Sequence, residues 1–514
     1  MKGERGKTGW WSKSVAYLTM AIAFYLLAPA VADPDLWGHI RFGQLTWTAG
    51  EVLRVDPFSY LSAGQEWINH EWLAEVVFAG LNGIGGGRAL LLFKLALAIG
   101  MMGLVYRHLT RAGLDVVRGA LVLFPVIVLL IPGLTTVRPQ MFTYVFFLLT
   151  LLILYGAEAG RPRGLWLLPP LFALWINFHG GVLAGVGVVG IWAFGRGLEA
   201  LPELRRAGVA GLRELAVPAA VVGGCLAALL VNPYGVGLPA FLIRTGTVPR
   251  PDIMEWQTMQ VISPRGIVYL AASGFGIAAV VRDHGQRRLP LVLLFFVLAI
   301  LPLTAIRHLQ LFALGFGVLL ADRMALVWTR PHEGKSNGTN RLRPIMIGAT
   351  LFVATALTAI GATNLNCIRI DPTRSIPFPT RAVEWIKQSG VAGNLAVYFD
   401  WGEYALWHLA PRIRISMDGR RETVYPDSIY SEYLRFQNGL GEWRDVLDKR
   451  PTDLVLFSQT RPTVNLMSLE QGWEQVYEDS LSAVFARVDG PHLAVLARTP
   501  LPELPHDGSG LCVP

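Results

Sequence analysis

The chain has 514 residues, 53% of them hydrophobic and only 16% charged, with a mean hydropathy of +0.43. Soluble domains run to about a quarter charged residues, so this composition excludes a soluble enzyme as the whole of the chain. The formal net charge of +8 sits between apolar blocks and reads as membrane topology rather than as a nucleic-acid surface.

In chain order, a basic segment to Lys13 precedes an apolar block over about 14–32. Ala30-Val31-Ala32 has the form of a signal-peptidase site, but the block exceeds most signal cores in length and polar residues begin right after it. It is therefore expected to be retained as a first span. Further apolar blocks predict helices at about 88–106, 119–134, 140–157, 165–178, 181–197, 213–231, 266–282, 289–305, 308–327 and 344–363, about 11 spans in all. Unpaired backbone is not tolerated in hydrocarbon, so such blocks must be helical. With the N-terminus in the cytoplasm, the arginine-rich loops fall inside: Arg107, Arg111 and Arg118, then Arg161 and Arg163, and three later groups. The short loops of the other side carry few basic residues, and an odd number of spans puts the C-terminus outside.

Two outer segments exceed simple links. Residues 33–87 form a long first loop, in which the short apolar run Trp72–Leu81 predicts an interfacial helix and Gly85–Gly87 a turn. Residues 364–514 have soluble-domain composition. A helix over 379–388 and strands over 395–399, 413–417, 454–457 and 483–486 predict a small α/β domain with an irregular tail. Cys225 reads as core. Cys367 and Cys512 share the exported region without metal-type spacing, and sequence does not decide whether they pair.

Asp33-Pro34-Asp35 follows the first span directly, where an ionised carboxylate is affordable at the water boundary. A solvated, proline-stopped helix end is the plain reading; a catalytic or metal-binding pair is the functional one. His39 shares a helical face with Asp35. Around them stand Trp67, Asn69, His70 and Glu71 in one cluster, Trp175, Asn177 and His179 in another, and Arg138, Arg307 and His308 at span ends. All fall on the outer side of the expected topology. Asn and Arg also make ordinary helix caps, so convergence on one face is what favours a site. No Walker A loop, Gly-x-Ser-x-Gly elbow or His-Glu-x-x-His zinc motif is present.

Asp33-Pro34-Asp35-Leu36-Trp37-Gly38-His39, Asp56-Pro57-Phe58-Ser59-Tyr60, Asn69-His70-Glu71-Trp72-Leu73, Trp175-Ile176-Asn177-Phe178-His179-Gly180 and Met417-Asp418-Gly419-Arg420 are similar to motifs of a large group of bacterial membrane proteins in the GT-C superfamily of glycosyltransferases. The resemblance covers most of the chain. It implies a GT-C-like α-helical polytopic membrane fold over 1–363, an extracytoplasmic α/β domain over 364–514, and the inner membrane of a bacterium as location. It also implies a polyprenyl-phosphate-linked sugar as donor and a glycan, lipid or protein as acceptor, with membrane lipids but no nucleic acid as partners.

On that resemblance Asp33 takes the place of the family's first-loop catalytic acid, with Asp35 second. The pair are also the candidate ligands of a divalent cation, Mg or Mn. His39, Trp67, His70, Glu71, Arg138, Asn177, His179, Arg307 and His308 are candidate substrate-binding residues. The proline between the two acids departs from the usual Asp-Glu or Asp-x-Glu. Trp401-Gly402-Glu403-Tyr404 loosely resembles the Trp-Trp-Asp-Tyr-Gly motif of oligosaccharyltransferases but lacks its second tryptophan and final glycine, and is read as a helix start. A flippase or transporter of lipid-linked glycans, and an envelope-assembly scaffold without chemistry, are the alternatives. Transporters gather polar groups near the midplane on repeated, broken helices, which this pattern does not show.

Overall fold

In the computed structural model, residues 2–207, 213–246, 248, 254–283, 288–328, 343–373 and 376–513 are described. Among them, six helices are long and apolar enough to cross a membrane: Trp72–Arg111, Val116–Leu134, Gln140–Glu158, Val182–Glu203, Pro264–Arg282 and Pro344–Ala362. Nineteen residues at 1.5 Å each give about 28 Å, close to the hydrocarbon thickness. A seventh candidate, Ile306–Leu319 with Ala321–Val327, is bent by 65°. The chain is thus a membrane protein with a largely helical fold.

Several expected spans are shorter or interrupted, for local reasons. The block at 165–178 holds Pro169 and Pro170, which lack an N–H to donate; its α-helix is confined to Leu168–Trp175 after a 3-10 turn. Leu289–Ile300 passes into a 3-10 turn at Pro302. Lys2–Leu27 is helical and ends before the block does. Its last carbonyls are met from the side: Lys94, fully buried, donates from Nζ to Leu27 O at 2.9 Å and Pro29 O at 2.8 Å. That is a helix C-terminus closed by a distant cation.

The described chain divides into two compact units. One comprises 1–30, 91–135 and 139–366; the other comprises 31–90, 136–138 and 367–514. The first outer loop thus belongs with the C-terminal segment.

In this second unit the expected interfacial helix is the start of Trp72–Arg111, which breaks at Gly85 and Gly86. Gly86 has φ 58°, a left-handed value that suits glycine. A helix that periodicity did not announce, Leu36–Ala49, follows the first acids. The sheet has five strands: β1 (Gly393–Val397), β2 (Ile413–Ile415), β3 (Leu454–Ser458), β4 (Trp473–Glu478) and β5 (Ser482–Arg487). Their order is β2-β1-β3-β5-β4. β1 pairs parallel with β2 and β3, while β5 runs antiparallel to β3 and β4. Central β3 is buried throughout, in keeping with its unbroken apolar run. β4, mostly charged and polar, escaped the sequence reading.

The first outer loop extends this sheet. Tyr60 N donates to Ile415 O at 3.0 Å and Ile415 N to Phe58 O at 3.1 Å. A second ribbon joins Val31, Arg369 and Cys512, with Ala32 N donating to Arg369 O at 2.8 Å. Cys367 and Cys512 form a disulfide, with Cα atoms 5.6 Å apart, next to that ribbon.

Candidate functional site

Asp33 leaves the ribbon at Ala32 and starts a turn. Its Oδ1 accepts from Asp35 N at 3.1 Å, and its carbonyl accepts from Leu36 N at 3.1 Å. Asp35 then stands at the N-cap of Leu36–Ala49, and its carbonyl accepts from His39 N at 3.0 Å. The intervening proline therefore serves the turn and leaves both carboxylates on one side. Arg138 bridges them: its Nε lies 3.0 Å from Asp33 Oδ1, and its Nη2 donates to Asp35 Oδ2. The Asp33 side chain is 6% exposed, that of Asp35 25% and that of Arg138 31%, so the bridge opens on the Asp35 side. Burial pushes the Asp33 carboxyl up to about 6, against the pull of Arg138.

One helical turn on, His39 faces two carboxylates. Its Nδ1 is 3.4 Å from Glu75 Oε1 and 4.0 Å from Glu71 Oε2. His70 Nε2 is 3.7 Å from Glu71 Oε1, and Asn69 Nδ2 donates to Glu75 Oε2 at 2.5 Å. Burial raises the Glu71 carboxyl to about 7, partly countered by His39. For His39, burial works downward, but the hydrogen bond to Glu75 and the nearby acids outweigh it and the net direction is up.

A further carboxyl belongs here. Glu403, in the first turn of Gly402–Leu409, is 3% exposed, and its Oε2 accepts no hydrogen bond from any described residue. Burial holds its carboxyl well above the usual range, and the charges of Asp35 and Asp418 add to this. Two motif glycines make its approach possible. A Cβ on Gly38 would lie 2.0 Å from Glu403 Oε2; one on Gly419 would lie 2.3 Å from Asp35 Oδ1 and 3.1 Å from Glu403 Oε1. The two carboxyls thus flank one point above Gly419. Trp37, packed against Phe378 and Tyr404 with centroids 4.6 and 5.0 Å away, holds the two helices together.

Trp67 serves a neighbouring device instead. Its ring, with those of Phe42 and Phe58, surrounds the Arg420 guanidinium at 4.8, 4.7 and 5.4 Å. Arg420 bonds Asp418 Oδ2 at 2.6 Å and Asp56 Oδ1 at 2.9 Å. Asp56 in turn accepts from Phe58 N and Ser59 N. One buried cation so ties the first loop to the segment after β2.

Of the sequence candidates, Asp33, Asp35, His39, His70, Glu71 and Arg138 come together in this unit. Asn177, His179, Arg307 and His308 lie in the other, in roles that suit helix ends. Asn177 Nδ2 donates to Ala173 O at 2.8 Å and Val231 O at 2.7 Å; His179 Nδ1 meets Thr143 Oγ1 at 2.9 Å and Gly181 N at 2.8 Å. Arg307 stacks on Trp256 at 3.9 Å, and His308 Nδ1 is 3.2 Å from Leu301 O. Glu75 and Glu403 were missed. Glu75 follows Glu71 by four positions, a helical-face signal that was present. Glu403 stood in the Trp401–Tyr404 motif, which was read as a helix start, while its relation to Asp35 depends on residues far apart in the chain.

Among the described residues, no group of three or more His, Cys, Asp or Glu side chains is gathered for a metal ion. Asp33 and Asp35 each commit an oxygen to Arg138, which stands where a cation between them would be.

No family model matches the sequence, and neither does any curated protein. Solved structures do match, at low identity. An oligosaccharyltransferase of Archaeoglobus fulgidus, solved with an inhibitory peptide and a dolichol-phosphate, aligns with TM-score 0.55 and 13% identity over 88% of this chain and 70% of its own. ArnT from Cupriavidus metallidurans, bound to undecaprenyl phosphate, aligns with TM-score 0.53 and 12% identity over 94% of this chain and 99% of its own. The mycobacterial arabinofuranosyltransferase AftD aligns with TM-score 0.52 and 15% identity over 93% of this chain, which spans 41% of it.

Proposed function

We propose that this chain, whose fold is that of the GT-C glycosyltransferases, transfers a sugar from a polyprenyl-phosphate carrier to an acceptor at the extracytoplasmic face of the membrane. The observation that carries the reading is the buried Asp33–Arg138–Asp35 bridge, beside a His–Glu cluster and directly after the first helix. Asp33 directly follows an apolar segment, where a lipid phosphate headgroup would be met, and the fold is shared with proteins solved with polyprenyl phosphates.

Asp33 is the base. Its oxygen takes the proton of the acceptor as the acceptor attacks the anomeric carbon opposite the leaving phosphate, giving inversion. Arg138 holds the acids in place and, through its exposed side, favours the phosphate as negative charge builds on it. His39 and Glu71 hold the second layer of charge. Glu403, its carboxyl held well above the usual range by burial, offers a donor when protonated beside the acceptor-only oxygen of Asp35, an arrangement that suits a hydroxyl. Among the described residues no donor set for Mg or Mn is assembled, and Arg138 takes the place between the two acids.

The sidedness rests on the arginine distribution, and the Cys367–Cys512 disulfide supports it, since disulfides persist outside the reducing cytoplasm. Purified protein incubated with polyprenyl-phosphate-linked sugars and a panel of glycan, lipid and peptide acceptors tests the activity. Transfer by wild type that Asp33→Asn abolishes supports the reading. No transfer and no polyprenyl phosphate binding refutes it.

A further inference from the structure

The unit formed by 1–30, 91–135 and 139–366 contains a cavity of about 910 Å³ between the last turns of Trp72–Arg111 and Gln140–Glu158 and the 3-10 turn Pro162–Leu167. Its lining is of two kinds. Leu104 and Ile153 supply apolar wall; Arg107, Arg111, Arg161 and Arg163 supply four guanidinium groups. Along each helix the kinds are ordered. Leu104 precedes Arg111, the last residue of its helix, by seven residues, about 10 Å of helical rise; Ile153 lies five residues before the end of Gln140–Glu158, with Arg161 and Arg163 beyond that end. The cavity is therefore apolar toward the helix middles and basic at the helix ends.

Basic residues at helix C-termini complement the macrodipole, and the topology rule places arginine in such loops. Those effects explain the sign of the four residues but not their convergence on one cavity. All four are exposed, and none forms an ion pair with a described residue. The acid whose charge reaches His108 in the cavity wall, Asp322, is already held by Arg288 at 2.5 Å. Four arginines lining one cavity, with no ion pair to a described residue, beside an apolar wall, complement a ligand that is anionic at one end and apolar at the other.

We propose that this cavity binds an anionic lipid, its phosphate among the four arginines and an acyl chain along Leu104 and Ile153. Guanidinium matches phosphate oxygens with paired donors. Basic residues near an anionic headgroup each add to its binding. A free phosphate ion uses only the basic half and leaves the apolar wall in water. The site is independent of the acidic cluster around Asp33 and stands whatever reaction that cluster performs.

The test compares wild type with Arg107→Gln/Arg111→Gln/Arg161→Gln/Arg163→Gln. Arg118→Gln is the control: Arg118 is in the same basic stretch but pairs with Asp115 at 3.2 Å and does not line the cavity. Each protein, purified in detergent, is titrated with phosphatidylglycerol, phosphatidylcholine or inorganic phosphate; retained lipid is read by native mass spectrometry and stability by thermal melting. The expected result is one retained phosphatidylglycerol and a raised Tm in wild type and Arg118→Gln. The fourfold variant should show at least tenfold weaker binding, and phosphatidylcholine or phosphate should give no protection. Equal retention in the fourfold variant, equal loss in Arg118→Gln, equal protection by inorganic phosphate, or no phosphatidylglycerol retained by wild type overturns the proposal. Should the fourfold variant fail to fold, Arg161→Gln/Arg163→Gln, outside the long helices, is read in the same way. Leu104→Ser/Ile153→Ser should weaken retention too.

Discussion

Asp33 and Asp35 are two positions apart, yet their surroundings separate them. Asp33 is closed in and raised to about 6; Asp35 is the more open of the two and faces Glu403. Asp33→Asn should lower transfer about 10²–10⁴-fold, the usual cost of losing a general base, without lowering Tm, because removing a buried charge eases desolvation. Wild-type rates in that variant would sink the assignment. A base with this pKa also predicts that the rate falls as pH drops through about 6, a limb absent if another group is the base. Stability carries the same groups with a definite sign. Asp33, Glu71 and Glu403 have folded pKa values above their unfolded ones, so the fold binds protons more tightly. Their contribution is greatest below about pH 4 and is lost as pH rises through about 6 to 7 and beyond; raised His39 loses its own above 6.5. Tm of the purified protein should therefore decline from pH 6 to pH 8, and Glu403→Gln should flatten that decline. An equal slope in Glu403→Gln would show that its carboxyl is ionised in the fold. The gathering of Asp33, Asp35, His39, His70, Glu71 and Arg138 was legible as dense polar clusters beside apolar spans, where such residues are costly. Trp67 stands in a cage around Arg420, and Asn177 and His179 bond near helix ends, settings that draw on the same residue types.

At the level of elements, the periodic, uninterrupted helices and the apolar strands were legible, and what failed was local or long-range. Leu36–Ala49 mixes polar and apolar residues and is defined by packing against Gly402–Leu409 through Trp37. The pairing of Phe58 and Tyr60 with Ile415 joins segments more than 350 residues apart and leaves no periodic trace. Arg420 is the tie between them. Its removal leaves Asp56 and Asp418 buried without their shared cation. Arg420→Ala should cost about 3–5 kcal/mol, seen as a large fall in Tm. Arg420→Lys should recover only part, because an ammonium cannot span both acids and lie among three rings. A near-neutral Arg420→Ala would show that the first loop is held by other contacts. The disulfide acts at the other end of the same loop. It braces the ribbon from which Asp33 departs, so Cys367→Ser should lower Tm by an amount that reducing agent reproduces in wild type, about 2–5 kcal/mol in stability. Free thiols at both positions in freshly isolated protein would contradict it.

Across the whole molecule, two independent features bear on orientation: the arginine distribution over the loops and the Cys367–Cys512 disulfide. The arginine count per loop comes from sequence and concerns the ends of the apolar helices. The disulfide comes from the fold and concerns residues 367–512. Cytoplasmic thiols are mostly kept reduced, so a bonded Cys367–Cys512 pair favours the proposed outer location. The charge rule favours the cytoplasmic side for the loops with Arg107, Arg111, Arg161 and Arg163. The two statements are compatible only if an odd number of crossings separates those loops from residue 367. That parity is open to direct measurement. With Cys225 buried and the other two cysteines bonded, single cysteines introduced at exposed Arg111, Arg163 and Leu469 should report with little background. In intact cells, an impermeant maleimide should label position 469 and leave 111 and 163 unmodified; after permeabilisation all three should react. Labelling of 469 only after permeabilisation would put the acidic cluster in the cytoplasm. A lipid-linked sugar presented on the outer leaflet would then be out of reach, and the proposed transfer would fall with the topology.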